Sequence, residues 1–217
     1  MTSRNPTFFR RRRRTGAAIL ALSLLPLAAC TGGGAAPGAT AAPQSASATA
    51  SASAAAPTPT PSYKPADAAG RAQNVPVPVL PEAARAETKE GLEAFAKYWF
   101  QQLNFAYETG DVSRLAPVTS SDCKFCSNII NSLTANYASD RWLAGGKIET
   151  PSISTTFQAD ASGHQQVVVQ VQQAEISYFE SGGTEFRPAT LPSDTGNVML
   201  ISFRSGVWQL VDLHPIR

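Results

Sequence analysis

No part of this 217-residue chain holds the run of about 20 apolar residues that a membrane-spanning helix needs. Histidine occurs twice and cysteine three times, so there are few metal-ligating side chains and one closely spaced thiol pair, Cys123 and Cys126. There is no Gly-x-Ser-x-Gly elbow for a hydrolytic serine and no glycine-rich loop to cradle a phosphate. Aromatic residues are scarce before residue 81, where only Phe8, Phe9 and Tyr63 occur, so a packed core has to lie beyond that point. The formal net charge of +2 is an effect of cations crowded at the N-terminus. From residue 81 onward, 15 Asp and Glu outnumber 10 Lys and Arg. A domain of that sign lacks the electrostatic basis for nucleic-acid binding or for direct adhesion to anionic lipid.

What the N-terminus does have is ordered. Arg4 and the block Arg10 to Arg14 favour retention on the cytoplasmic side. Gly16 to Ala29 is apolar but only 14 residues long, with Ser23 and Pro26 interrupting it, which is too short to span. The small residues Ala28 and Ala29 give a peptidase access to the bond before Cys30. An ordinary secretory signal that happens to contain a cysteine would share these parts, but basic block, apolar core and terminal cysteine agree on lipidation. Arg13-Arg14-Thr15-Gly16-Ala17 lacks the apolar residues that follow a twin-arginine pair, so twin-arginine export ranks second. Leu27-Ala28-Ala29-Cys30 resembles the bacterial lipobox. The resemblance implies transfer of diacylglyceryl to the Cys30 thiol and removal of residues 1–29. Two or more acyl chains then anchor the protein stably on the outer face of the cytoplasmic membrane.

Residues 30–80 read as a disordered tether. Thr31 to Ser62 consists of Ala, Gly, Ser, Thr and Pro, with Gln44 as the exception. Such a segment buries too little apolar surface to offset its ordering entropy. Thr58-Pro59-Thr60-Pro61 and Val75-Pro76-Val77-Pro78-Val79 favour extended polyproline II. A flexible chain of that length spans roughly 35–40 Å. It reads as a passive spacer, although its Ser, Thr and Pro content also permits O-glycosylation.

Residues 81–217 read as one α+β domain, with helices first and then a curved antiparallel sheet. Pro81 and Glu82 suit a helix start, and Gly91 marks a break between a loose early turn and the main helix. Leu92, Phe95, Trp99, Leu103 and Ala106 fall on one helical face, ended by Gly110. Thr119, Ser120 and Ser121 are candidate caps of a second helix with Cys126, Ile129 or Ile130, Leu133 and Tyr137 inward, and Gly145-Gly146 ends that segment. Lys147 to Gln158 and Gln165 to Phe179 read as strands. In the latter the apolar parity changes near Gln172-Gln173, which predicts a bulge or bend. A long connection follows, between Ser181-Gly182-Gly183 and Pro192-Ser193-Asp194. Asn197 to Phe203 and Val207 to Leu213 form a hairpin.

This order, over roughly residues 88–215, resembles the cone-shaped, nuclear-transport-factor-2-like fold. A closer likeness is carried by Gly91-Leu92-Glu93-Ala94-Phe95-Ala96-Lys97-Tyr98, Asn104-Phe105-Ala106-Tyr107-Glu108-Thr109-Gly110-Asp111 and Ser121-Asp122-Cys123-Lys124-Phe125-Cys126. With the lipobox and tether, these resemble an actinobacterial lipoprotein family with domain of unknown function 6318, which implies compartment and fold but no activity.

Cys123 and Cys126 stand at i,i+3, where helix side chains are neighbours. Outside the cytoplasm a structural disulfide is expected. The same spacing also fits a thiol–disulfide oxidoreductase, whose helix N-terminus lowers a thiol pKa, and a zinc site completed by His164 and His214. Asp212 and His214 lie one strand period apart and, with Tyr178 and Trp99 beside a cavity, are the candidates for acid–base chemistry of an isomerase or dehydratase. The plainer alternative leaves them exposed at the strand's end. The leading expectation is a membrane-tethered, non-catalytic binding module. It takes no cofactor or metal, and its partner is a small molecule or a cell-envelope protein.

Overall fold

A computed structural model describes residues 61–216; the signal, Cys30 and the tether as far as residue 60 lie outside the described residues. Helix α1 (Lys89–Thr109) starts where Thr88, in extended backbone, accepts the Gly91 N–H on its Oγ1 at 3.0 Å. It ends at Gly110, left-handed at φ 77°. The face expected from the spacing is the buried one: Leu92, Phe95, Trp99, Leu103 and Ala106 are all in the core. Each large member contributes about 1.5–3 kcal/mol of transfer free energy. The early turn is a separate 3-10 turn, Glu82–Arg85, and the chain breaks after it at residues 86–88, so that Gly91 falls inside the first turn of α1.

Helix α2 (Lys124–Asn136) is capped by Cys123, whose Sγ accepts the Cys126 N–H at 3.2 Å. Two of the three expected caps, Thr119 and Ser120, are engaged with the last strand instead. Thr119 bridges Leu210, and the Ser120 N–H donates to Leu210 O at 2.7 Å. The helix also stops well before Gly145-Gly146, because Ser139 and Asp140 take positive φ and strand β1 (Trp142–Gly145) begins there.

The other strands are β2 (Ile148–Ser154), β3 (Gln165–Gln173), β4 (Ile176–Glu180), β5 (Thr184–Thr190), β6 (Ser193–Arg204) and β7 (Val207–Pro215). They form antiparallel sheets of order β1-β4-β5 and β2-β3-β6-β7. The two sheets are halves of one meander folded over a corner. The Gly146 N–H donates to Glu175 O at 2.7 Å and the Ala174 N–H to Lys147 O at 2.9 Å, carrying the ladder across. Gly145 is required there, since a Cβ would stand 2.3 Å from Glu175 O. The parity change near Gln172-Gln173 is this corner, which divides the expected strand 165–179 between two sheets. The expected connection between Gly183 and Pro192 contains β5, and β6 starts four residues earlier than expected.

The described chain corrects the tether's extent. Residues 61–80 lie on the domain as a strap. Lys64 pairs with Gln73 and Asp67 with Gly70. Asp67 O accepts the Trp142 Nε1–H at 2.8 Å, Pro78 O accepts the Gln102 Nε2–H at 3.2 Å, and Tyr63 Oη donates to Glu108 Oε2 at 2.7 Å. The strap needs no core of its own, because its carbonyls serve donors of the domain and its prolines limit the entropy lost on docking.

Asn104 ties α1 to the edge strand β2. Its Oδ1 accepts the Ile148 N–H at 2.7 Å and its Nδ2 donates to Ile148 O at 2.8 Å. Asn104→Leu leaves both backbone groups unpaired and is expected to cost about 2–3 kcal/mol, measured by urea unfolding.

Tyr137 Oη donates to Tyr107 O at 2.5 Å, and burial pushes its phenol up to about 12 from 10.0. The folded state then holds this proton more tightly than the unfolded state does. The stabilisation is complete below pH 10.0 and is lost as the pH rises toward about 12. Tyr137→Phe should flatten the fall in stability across that window. Part of the slope should persist, because burial also raises the phenol of Tyr107.

Candidate functional site

Cys123 and Cys126 are joined in a disulfide, with Cα atoms 5.3 Å apart. Both are shut off from solvent, at 0% and 1% exposure. Exchange requires a thiolate to reach a sulfur, and the motif follows a 3-10 turn (Ala116–Val118) rather than a strand. The bridge therefore acts as a staple on the first turn of α2. His164 and His214 sit elsewhere, beside Asp160 and Asp212 respectively, at 3.4 and 3.5 Å. Among the described residues no three His, Cys, Asp or Glu side chains converge as a metal site requires. Replacing both cysteines with alanine is expected to cost about 2 kcal/mol, the chain entropy of so short a loop. Cys126→Ser should trap no mixed-disulfide partner on non-reducing gels.

The acid–base candidates are not brought together. Asp212 and His214 do share a face, but it is the outer one, with side chains 45% and 50% exposed. A register shift between Leu200 and Ile201 inserts one residue opposite β6. It lets Leu210 and Leu213 both face inward and sends Asp212 out. Tyr178 belongs to the smaller sheet, with its hydroxyl 2.7 Å from Thr190 Oγ1 and its ring 4.2 Å from the Arg187 guanidinium. Trp99 is buried, and its Nε1–H donates to Thr119 Oγ1 at 2.8 Å.

The interior does contain a cleft, of about 220 Å³, between α1, α2 and the larger sheet. Its walls are Leu103 and Phe100 of α1, Phe125 and Ile129 of α2, and Val171 and Leu213 of the sheet. Towards the corner, the lining turns polar. Register places Val169 opposite Asn197, Val171 opposite Thr195 and Gln173 opposite Ser193. The inward-facing series of β6 thus runs Ile201, Met199, Asn197, Thr195, Ser193, from core to hydrogen-bonding groups. Asn197 is 7% exposed, and its Nδ2 donates to Thr195 O at 3.2 Å and to Thr195 Oγ1 at 3.0 Å. The titratable group in the lining is Tyr107, whose phenol burial raises against the opposing hydrogen bond with Gln173. These polar residues were not among the candidates from sequence. Their signal was the alternation Ser193, Thr195, Asn197 ahead of Met199 and Ile201.

A larger, shallower hollow of about 540 Å³ crosses the corner beside Lys147, Glu149, Gln172 and Asp194. Its charges are already engaged with neighbours. Lys147 Nζ lies 2.7 Å from Glu149 Oε1, and Gln170 and Gln172 donate to the Asp194 carboxylate. Those amide hydrogen bonds hold the Asp194 carboxyl below its ordinary value.

Fold and site together define an α+β domain in which two helices close one face of an antiparallel meander over a small, uncharged cleft. More particularly, the chain belongs to the family of unknown function DUF6318, whose model matches residues 61–214, from the start of the strap to the last strand. No curated protein matches the chain. Among solved structures, it is similar to the intermembrane space region of the chloroplast protein ARC6, with a TM-score of 0.43 and 8% identity over 59% of this chain and 96% of that one. It is also similar to an uncharacterized protein with a cystatin-like fold from Caulobacter vibrioides, with a TM-score of 0.37 and 17% identity over 56% of this chain and 87% of the other.

Proposed function

We propose that this protein is a lipid-anchored, extracytoplasmic binding module of an actinobacterial envelope, non-catalytic, with the cleft between α1, α2 and the sheet as its binding site. The observation that carries the reading is the lining: apolar walls ending in neutral amides and hydroxyls, with a phenol that burial keeps protonated. General acid–base catalysis at neutral pH calls for a group titrating near 7. The candidates for that role, Asp212 and His214, face away. The cone-like, nuclear-transport-factor-2-like reading of the curved sheet agrees with a concave face used for binding.

Cys30 supplies the membrane anchor in this reading. The test uses the mature chain from residue 30 with Cys30→Ser, so that no detergent competes. The neutral fluorophore N-phenyl-1-naphthylamine should bind saturably at one site, and Val171→Phe, which fills the cleft, should abolish the signal. Absence of saturable binding would sink the reading. In cells, Cys30→Ser should move the protein from the membrane fraction to the medium.

A further inference from the structure

Resting on the cleft as the binding site, we propose that its ligand is an uncharged apolar molecule bearing one hydrogen-bond donor, a hydroxyl or a primary amide, which Asn197 Oδ1 receives. Three observations lead to this class. The first is size. The cleft, at about 220 Å³, is half again as large as the roughly 150 Å³ dry cavity that accepts benzene. It suits a short alkyl chain or a single ring, and N-phenyl-1-naphthylamine seats one ring there and leaves the rest at the open mouth beside Phe125.

The second is the state of Asn197. Its amide nitrogen is held by Thr195, which fixes the orientation of the side chain. Among the described residues its Oδ1 accepts no hydrogen bond, although the residue is 7% exposed and lines the cleft. The buried unpaired side-chain oxygens are those of Gln102 and Gln165, so the Asn197 oxygen stays open to solvent in the cleft; an apolar ligand seated there strips it of water, and a donor on the ligand restores the bond. Since the nitrogen is already engaged, the ligand's polar group has to give a proton to this oxygen.

The third is charge. Among the described residues no Lys, Arg, His, Asp or Glu lines the cleft, so an ionised head would be desolvated there without a partner. Phe125 both lines the cleft and is exposed, which marks where the ligand enters, beside the stapled first turn of α2.

The experiment displaces bound N-phenyl-1-naphthylamine from the Cys30→Ser chain beginning at residue 30. 1-Octanol and octanamide should compete. Octanoate, octylammonium and octyl methyl ether, which lacks the donor, should each be at least roughly tenfold weaker, equivalent to about 1.4 kcal/mol. Asn197→Leu should bring octanol down to the level of the ether, each competitor being measured against the fluorophore's own affinity for that variant. If the fluorophore binds but octanoate or the ether competes as well as octanol does, the ligand class is overturned while the binding site stands. If the fluorophore does not bind saturably, the site itself falls. The ligand series decides the question even where Asn197→Leu fails to fold.

Discussion

A chain that begins at residue 81 is expected to unfold roughly 10–15 °C below one that begins at residue 61. The strap buries few side chains of its own, so its value lies in the donors it serves. Without Asp67 O, the Trp142 Nε1–H loses its partner; without Pro78 O, the Gln102 Nε2–H keeps only Tyr98 Oη, at 2.7 Å. Trp142 and Gln102 are both buried. An unpaired buried donor costs about 1–3 kcal/mol. Loss of Leu80 from the rim of the core adds to this, as does loss of the contact between Arg71 and the Tyr137 ring at 5.6 Å. Together these amount to about 4–5 kcal/mol, and a domain of this size shifts by about 2–4 °C per kcal/mol. Thermal melts of the two chains measure the difference, and Trp142→Phe in the longer chain should reproduce a part of it. Equal melting temperatures would show that the strap is an ornament on an independent domain.

The strap also shows what the sequence could and could not convey. The face of α1 was legible because five apolar residues recur at helical spacing and nothing else satisfies that pattern. The strap was not, because its attachment runs from its backbone carbonyls to side chains of residues such as Trp142, and carbonyls carry no residue-type signal. Strand β5 was hidden by its edge position. Thr184–Thr190 is mostly exposed and contains Pro188, so neither alternation nor composition marks it. The outward turn of Asp212 followed from one inserted residue in β7, a register event that period-2 reasoning cannot place. The cleft was half legible. Its apolar walls belong to the recognised helices, but polar residues on the inward parity of β6 looked like the end of a strand rather than the lining of a site.

Gly91→Ala is expected to destabilise the domain by about 3 kcal/mol or more, against the usual sign. In an unobstructed helix interior the same change gains about 1 kcal/mol, since alanine is the better helix former. Here a Cβ on Gly91 would stand 2.2 Å from Ala86 O and 2.8 Å from Ala83 O, both backbone atoms. Relief requires the 3-10 turn Glu82–Arg85 and the link after it to move off α1. That link is held from the far end of the chain: the Trp208 Nε1–H donates to Ala86 O at 3.1 Å, and Trp208 is a buried core residue of β7. The methyl group therefore either stays overpacked or breaks the bond that closes the first helical turn onto the last strand, and overpacking alone costs about 1–3 kcal/mol. Denaturant unfolding should show a lower midpoint with an unchanged slope. Indole emission should shift toward that of a solvent-exposed tryptophan. Trp208→Phe, which frees the Ala86 carbonyl to move, should make the Gly91→Ala change less costly, so that the double mutant loses less than the two single losses added together. A stabilising Gly91→Ala would mean that the turn does not sit on the helix at all.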